Sequence, residues 1–477
     1  MGPITPPEID LVSIAPVLVL TVFAMTVLVL DLYAGKNKAL LVFVSLIGLF
    51  FTGLSAFAKS SLPVYSFNNS YVVDHLSVFF IVIFTISSAL AILLSVDYNR
   101  REGIKVGEFY SLILFCTVGM IILASSTDMI MIFLGIEIVS ICLYVLAGIR
   151  RGDMKSNEAA LKYFLLGAFA TGFLLYGMTM IYGGTGSTNL LEIAASIKSN
   201  DGETSPLMIL GMVLLVIGFG FKIASVPFHM WSPDVYEGAP SPVTAFMAVG
   251  PKAAALAAFF RVFTEALPDL SGSWENMLIV IAVLTMFFGN LGAIVQTNIK
   301  RLLAYSSISH VGYLLIAVIV NNSMGGSSLL FYMLTYTFMI FGVFGIIILV
   351  GKEGNENLEI ENYSGLGFKR PILALSMSIL MLSLGGLPPF AGFIAKFYIF
   401  TAAINEGYIT LVIIAVLNSA ISFYYYLKII VFMYMKEPEE EFSISLAPMT
   451  VLVVSISVFA TIQLGIFPDA ILAWAEH

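Results

Sequence analysis

Residues 328–350 read SLLFYMLTYTFMIFGVFGIIILV, a stretch without a single acidic or basic side chain. The hydrocarbon core of a bilayer is crossed by roughly 20 helical residues. Because backbone groups in lipid must be hydrogen-bonded internally, a run of this length and composition predicts a membrane-spanning helix. Strands of a membrane barrel would be about half as long and would alternate in polarity, so the pattern excludes that class.

The composition of the whole chain agrees with this stretch. Of 477 residues, 59% are hydrophobic and 11% are charged, and the mean hydropathy is +0.98. Soluble domains are about one quarter charged, so a soluble enzyme or a nucleic-acid-binding protein is excluded. Cys116 and Cys142 lie within apolar segments, and neither they nor the four histidines have the spacing of a metal, haem or iron–sulfur site. We therefore expect no cofactor on this chain.

Thirteen further segments resemble residues 328–350, which predicts an all-α polytopic protein of about fourteen transmembrane helices. The twelfth segment is too long for one straight crossing. The predicted spans are 11–33, 39–58, 75–97, 108–126, 129–149, 159–182, 206–226, 242–263, 275–297, 303–320, 328–350, 371–404, 408–434 and 446–468.

The basic residues predict the orientation of these spans. Of the basic residues outside the spans, nearly all fall in alternate loops, and the intervening loops hold only Lys59 and Lys198. The positive-inside rule then places both termini on the outer side of an energy-coupling membrane. No basic residue precedes Leu11, so the first span is predicted to be a retained helix. The loops on the inner side contain Lys36, Lys38, Arg100, Arg101, Lys105, Arg150, Arg151, Lys155, Lys300, Arg301, Lys352, Lys369, Arg370 and Lys436.

No linker or charged tract divides the chain, so residues 1–477 are predicted to form one integral membrane domain. Spans four to eight and nine to thirteen are five helices each and therefore have opposite topology. Each set contains one proline-interrupted span with a lysine, which is typical of inverted-repeat transporters. The predicted parts are three N-terminal helices in 1–107, a first repeat in 108–263, an inverted second repeat in 275–435 and a last helix in 446–477.

Charged residues inside the spans are the candidate functional residues. A central Lys or Glu costs about 2.5–3.5 kcal/mol on insertion scales unless the side chain reaches an interface. Glu137 lies near the middle of its span, and its short side chain cannot do so. Lys222 precedes Pro227, which opens the helix, and Lys252 follows Pro251 deep in its span. Proton transfer and a structural ion pair both remain open for these residues.

Two further lysines belong to this set. Lys396 follows the helix-breaking sequence GGLPP at 385–389, and a lysine beside a mid-membrane break indicates an ion pathway. Lys162 lies only seven residues beyond Lys155, so its side chain could equally extend to the surface.

His229 and His310 complete the candidate set. An imidazole titrates near physiological pH and can pass a proton, but a single histidine also commonly satisfies a neighbouring polar group. The loop containing Asp234 and Glu237 could collect protons at the mouth of a path or bind backbone amides.

Several long motifs resemble the antiporter-like subunits of respiratory complex I, a family shared with Mrp-type cation/proton antiporters. The resemblance covers nearly the whole chain, and the stretch 241–252, SPVTAFMAVGPK, is similar to the subunit N branch. Lysine at 396 also fits that branch better than subunit M, and we expect no extended C-terminal arm of the subunit L type. The shared motifs are GIEI at 135–138, SNEAALKYF at 156–164, FKIASVPFH at 221–229 and KRLLAYSSI at 300–308.

The resemblance implies a role for each matched residue. Glu137 and Lys222 would form the charged pair of the first half, Lys252 the central relay and Lys396 the terminal residue of the second half. Lys162 matches the family's sixth-helix lysine, and the roles of His229 and His310 vary within the family.

At the level of the complex, the resemblance implies proton translocation by a non-redox subunit of an NADH:quinone oxidoreductase. Quinone, FMN and iron–sulfur clusters would be bound by partner subunits. Two alternatives remain: a cation/proton antiporter subunit, which would need oxygen ligands for Na⁺ or K⁺, and a non-conducting scaffold, which would leave the deep charges unexplained.

Overall fold

The computed structural model describes residues 10–33, 35, 38–58, 62–199, 205–354, 356–437 and 447–476, so Lys36 and Lys59 lie outside it. Over these ranges the chain is mostly α-helical. It also contains short 3-10 and π-helical turns and one antiparallel hairpin of β1 (Val64–Ser66) and β2 (Tyr71–Val73). The α-helices are α1 Ala15–Asp31, α2 Ala39–Ser55, α3 His75–Arg101, α4 Glu108–Ser125, α5 Met129–Ala147, α6 Met154–Thr185, α7 Leu190–Ser199, α8 Pro206–Ile223, α9 Trp231–Gly238, α10 Ser241–Arg261, α11 Ser271–Ile294, α12 Ile299–Val320, α13 Ser323–Val350, α14 Leu366–Lys369, α15 Pro371–Gly385, α16 Ala391–Asn405, α17 Ile409–Met435, α18 Pro448–Ile466 and α19 Asp469–Glu476.

Within the described ranges, eleven helices are long and apolar enough to cross a membrane. Four shorter apolar helices, α1, α2, α15 and α16, occupy the remaining predicted spans. The predicted helical membrane protein is thereby confirmed, while the total of fourteen crossings stays a prediction.

Polar caps set where several spans begin. The Asp74 carboxylate accepts from the Ser77 amide at the start of α3, and Asp128 accepts from the Ile130 amide at the start of α5. Asn298 does the same for Lys300 at the start of α12. These side chains accept hydrogen bonds from amides that the first helical turn leaves unpaired, and they thereby fix where each helix begins.

Two predicted spans are interrupted. Helix α8 ends at Ile223, three residues earlier than predicted, because Ala224 takes a left-handed conformation with φ of 61°. The following segment was expected to be a loop, but its residues Trp231–Gly238 form helix α9. Helices α15 and α16 replace the overlong twelfth span, and Gly386, with φ of 90°, ends α15. The break predicted from GGLPP is therefore confirmed.

The centre of the molecule consists of α10, α12 and α13. In the apolar stretch of each of these helices, 94% of the residues are buried. In the apolar stretches of α6 and α18, by contrast, only 33% of the residues are buried, so most of the surface of these helices is exposed. Lys252 and His310 lie on two of the central helices, which keeps both away from lipid. Outside the predicted spans, the short helix α7 buries Leu190, Ile193 and Ile197 on one face.

Candidate functional site

Lys222 lies in the last turn of α8, next to the break. Its Nζ donates a hydrogen bond of 2.7 Å to Ser140 Oγ on α5. Glu137 lies one turn before Ser140 on the same helix, and its Oε1 is buried without a hydrogen-bond partner among the described residues. The Glu137 charge acts on Lys222, but the two side chains form no direct ion pair. Lys222 thus contacts Ser140 and not the expected carboxylate, and the Ser140 hydroxyl itself donates to Ile136 O.

Lys252 lies in the middle of α10 and is 3% exposed. Its Nζ donates to Ser307 Oγ on α12 at 2.7 Å and lies 5.4 Å from the centre of the Tyr236 ring. No carboxylate of the described residues contacts it. The amine is therefore held by a neutral hydroxyl in the most buried part of the protein.

Lys396 lies in α16, just past the second break, and is 4% exposed. Its Nζ donates to Ser419 Oγ at 2.9 Å, to Gly385 O at 2.9 Å and to Leu384 O at 3.2 Å. An ammonium group has three N–H donors, so these contacts use its full capacity.

Lys222 and Lys396 lie in two similar electrostatic environments. Lys222 belongs to the last turn of α8, and the ammonium of Lys396 donates hydrogen bonds to the last carbonyl oxygens of α15. The C-terminus of a helix carries about half a negative charge, which stabilises a cation there. Each break therefore places a lysine at the negative end of a half-helix.

His310 lies on α12 between Lys252 and Lys396, and the charges of both lysines act on its ring. Its Nδ1 is 2.5 Å from Tyr332 Oη, and its Nε2 is 3.1 Å from Tyr426 Oη. The structure thus joins His310 to the second half of the site, whereas His229 lies apart in the break after α8. The Nδ1 of His229 is buried without a hydrogen-bond partner among the described residues.

Lys162 is the least buried candidate, since 41% of its side chain is exposed. It forms ion pairs of 2.7 Å with Asp234 and with Glu158. Asp234 and Glu237 also pair with Arg301 on α12, so they bind cations and not the backbone amides considered from the sequence. These side chains surround an open cavity of about 190 Å³ lined by Lys155, Glu158, Lys162, Asp234, Glu237 and Arg301.

A second cluster lies on the same side of the molecule, around Glu356 in the loop after α13. Glu356 pairs with Lys300 at 2.5 Å, accepts from Ser241 Oγ at 2.7 Å and also accepts from Tyr98 Oη. Burial alone would raise the pKa of Glu356, but the Lys300 charge and these hydrogen bonds more than offset it, so the pKa lies below its ordinary value. The cluster joins α3, α10 and α12.

Sequence reasoning missed Arg261, at the far end of α10. Its guanidinium contacts Asp74 at 2.6 and 2.8 Å and Glu265 at 2.7 Å, and the residue is 2% exposed. The insertion cost that singled out Lys252 applies equally to this arginine, so the signal was present. The serine partners Ser140, Ser307 and Ser419 gave no such signal, because hydroxyls are common in membrane helices.

Comparison with known proteins relates this geometry to a family. Residues 126–422 match the family model described as NADH:quinone oxidoreductase/Mrp antiporter, TM. A protein of Trichlorobacter lovleyi named NADH-quinone oxidoreductase subunit N is 49% identical over 98% of this chain and 97% of its own length. A relative of the same name from Chloroflexus aggregans is 41% identical over 100% of this chain and 99% of its own length.

The fold is likewise similar to solved structures. A chain of respiratory complex I from Thermus thermophilus superposes with a TM-score of 0.82 at 34% identity, covering 96% of this chain and 98% of that one. A chain of the Mrp complex from a Dietzia species has a TM-score of 0.84 at 22% identity over 98% and 97% of the two chains, which shows the shared fold alone. With its buried lysines on broken helices, its matching family model and its full-length relatives, the chain belongs to the family of NADH-quinone oxidoreductase N subunits.

Proposed function

We propose that this chain is the proton-translocating subunit N of an NADH-quinone oxidoreductase. Protons would move through Lys222, Lys252 and Lys396, with Glu137 and His310 as further members of the path. The observation that carries this proposal is that each deep lysine is held by a serine hydroxyl and by no carboxylate.

The type of partner separates a relay from a structural charge. A permanently charged buried cation needs an acid beside it, as Arg261 has in Asp74. A serine hydroxyl can accept from an ammonium and can equally donate to a neutral amine. The site can therefore hold each lysine with or without its extra proton, as a relay must.

Glu137 supplies the element that biases the first lysine. How strongly a buried amine holds its proton depends on the charges around it, so a change in the charge or position of Glu137 would switch Lys222 between acceptor and donor. The proton would then pass to Lys252 and on to Lys396. The α8 break would give water access beside Lys222, since irregular backbone at membrane depth lies against protein or a wet cavity.

The charged cavity around Lys162 is suited to the inner mouth of this path. Asp234 connects Lys162 on α6 to Arg301 on α12, and Glu237 connects Lys155 on α6 to the same arginine. We assign Lys162 to proton entry, and not to the series of buried lysines, because its side chain is only partly buried. His229, in the α8 break, would serve the same half of the protein.

The topology belongs to the same proposal. Fourteen crossings result if α1 and α2 each span the membrane and α15 with α16 forms one interrupted span. Residues 108–263 and 275–435 would then be inverted repeats, each with one broken helix, and both termini would lie on the outer side. The left-handed residues Ala224 and Gly386 at the two breaks support this correspondence.

The driving force would come from quinone reduction in partner subunits, which would hold the FMN and iron–sulfur clusters. The relatives named NADH-quinone oxidoreductase subunit N support this assignment. This chain would contribute to the enzyme as its non-redox, proton-moving part, with charge changes along the buried lysines coupling it to its neighbours.

Substitution of Lys222 tests the proposal. Lys222→Ala should abolish proton pumping at an unchanged amount of assembled complex. Lys222→Arg should fail nearly as badly, because a guanidinium does not release its proton. Pumping and electron transfer are measured separately in vesicles at equal assembled amounts, with Lys198→Ala on α7 as the control.

A structural role for Lys222 gives the reverse order. Arginine would then preserve pumping, and alanine would reduce the amount of assembled complex by leaving Glu137 alone. Normal pumping by Lys222→Arg would remove this lysine from the path.

A further inference from the structure

The space between Lys252 and Lys396 contains a chain of buried hydroxyls centred on His310. Tyr332, Tyr426 and Ser306 are each no more than 1% exposed. Three hydrogen bonds link them: Tyr332 Oη to His310 Nδ1 at 2.5 Å, His310 Nε2 to Tyr426 Oη at 3.1 Å and Tyr426 Oη to Ser306 Oγ at 2.5 Å. These contacts connect α13, α12 and α17 through polar atoms inside an apolar core.

Every member of this chain can both donate and accept a hydrogen bond. A neutral imidazole has one N–H donor and one acceptor nitrogen, and a hydroxyl has one donor and two acceptor lone pairs. The chain can therefore point in either direction. Reversing all of its donors moves one proton from one end to the other without leaving a net charge on it.

Residues next to this chain contact the two lysines. Ser307, the neighbour of Ser306 on α12, accepts the hydrogen bond from Lys252 Nζ at 2.7 Å. Lys396 Nζ lies 5.0 Å from the centre of the Tyr313 ring, and that ring lies 6.0 Å from the ring of His310, the central member of the chain. The buried hydroxyl of Tyr336 lies near Ser307, the partner of Lys252, and that of Tyr313 lies near Ser419, the partner of Lys396, but among the described residues neither makes a direct hydrogen bond. Buried hydroxyls are normally satisfied, and a bound water is the usual partner where protein offers none.

We propose that Tyr426 and Tyr332, with His310 between them, form a hydroxyl–imidazole bridge that passes a proton from Lys252 to Lys396. The proposal rests on the proton-translocating function assigned above. An N–H bond of the Lys252 ammonium breaks and leaves a neutral amine, while an N–H bond forms on Lys396. Each bridge member gains one proton and gives up another, so all of them end neutral, and water at Tyr336 and Tyr313 spans the two gaps.

Removal of a single oxygen atom tests the bridge. Tyr426→Phe keeps the ring and its packing but interrupts the chain between His310 and Ser306. A positioned proton-transfer group contributes about 10²–10⁴-fold to a rate, so pumping by the assembled complex should fall by about 100-fold or more. Tyr425→Phe is the matched control, since its neighbouring hydroxyl is equally buried but donates to Asn290 outside the bridge.

The measurement is proton pumping and electron transfer by the intact complex in vesicles, in H₂O and in D₂O, at equal assembled amounts. Loss in Tyr426→Phe with near-normal pumping in Tyr425→Phe supports the bridge, and an isotope effect larger than that of the unmodified complex supports it further. A merely structural hydroxyl would leave the isotope effect unchanged. Equal losses in the two variants, with an unchanged isotope effect, overturn the bridge.

Two further variants keep the result decisive. If Tyr426→Phe fails to assemble, Tyr332→Phe interrupts the other side of His310 and should give the same loss of pumping; normal pumping by it overturns the bridge. Lys252→Ala separates this inference from the function on which it rests. Normal pumping by Lys252→Ala overturns the proposed path itself, whereas its loss alongside normal pumping by Tyr426→Phe overturns the bridge alone.

Discussion

Helix α10 contains two buried cations of different kinds. Lys252, in its middle, contacts a serine hydroxyl, whereas Arg261, at its end, contacts the carboxylates of Asp74 and Glu265. Burial is nearly the same for the two residues, at 3% and 2% exposure. Under the proposed function, the partner and not the depth would therefore distinguish a side chain that changes its protonation state from one that holds the fold together.

Alanine substitution should separate the two roles. Arg261→Ala leaves Asp74 and Glu265 without their cation, and breaking a buried ion pair typically costs about 3–5 kcal/mol. The amount of assembled complex should therefore fall sharply. Lys252 pairs with no carboxylate among the described residues, so Lys252→Ala should leave assembly near normal while pumping is lost. Quantification of the complex by native gel checks both, and normal assembly of Arg261→Ala would contradict the structural role.

The candidate residues were predictable from the sequence only as individual charges. Lys222, Lys252 and Lys396 were identified because an unpaired charge inside an apolar run is costly. Their partners could not be identified in this way, since a contact between Lys252 and Ser307 depends on how α10 and α12 pack. The same limit explains why Glu137 and Lys222 were expected to pair directly.

The break between α15 and α16 depends on close backbone packing. A Cβ atom added at Gly392 would lie 1.8 Å from the Ser383 carbonyl oxygen of α15, and the Gly392 amide donates to Ser383 Oγ at 3.1 Å. The two half-helices thus meet at a point that has no room for a side chain. This contact fixes how α16 presents Lys396 to the end of α15.

Gly392→Ala should therefore displace the half-helices. Overpacking of this kind typically costs about 1–3 kcal/mol, so the thermal midpoint of the purified complex should fall and pumping should decrease with it. Gly272→Ala is the matched control, because a Cβ atom there meets no atom within 4 Å. A Gly392→Ala complex that is as stable and as active as the control would show that the contact is not needed.

The sequence predicted the elements better than their ends. Long apolar runs predicted the helices, and GGLPP predicted the break at Gly386, since glycine adopts positive φ at little cost. The early end of α8 was not predictable, because Ala224 is an unusual residue for a left-handed position. Helix α9 was missed because its sequence, WSPDVYEG, has the polar composition of a loop.

At the scale of the molecule, Glu356 connects parts of the chain that are far apart in sequence. It contacts Tyr98 on α3, Ser241 on α10 and Lys300 on α12, and Arg150 approaches it at 3.6 Å. One buried carboxylate thus ties the N-terminal helices to both predicted repeats.

This carboxylate should make stability depend on pH. The pKa of Glu356 in the folded protein lies below its ordinary value, so the stabilisation is fully present above that ordinary value and is lost as pH falls through the folded pKa. The complex should melt at lower temperature under acid conditions below the usual range of a glutamate. Glu356→Gln should lower the midpoint near pH 7 and weaken the acid dependence.

Glu353→Gln is the matched control for this experiment, because Glu353 lies in the same loop but is exposed. It should melt like the unmodified protein at every pH. An unchanged midpoint near pH 7 in Glu356→Gln would contradict the connecting role of this carboxylate.

The attachment of α10 at both ends limits how the protein can work. Ser241 is bonded to Glu356 at one end, and Arg261 is bonded to Asp74 at the other. Sliding this helix across the membrane would break both attachments at once, so Lys252 keeps a constant height in the bilayer. Under the proposed function, protons would therefore move between fixed side chains, and the rate of translocation would be set by these transfers and not by a movement of α10.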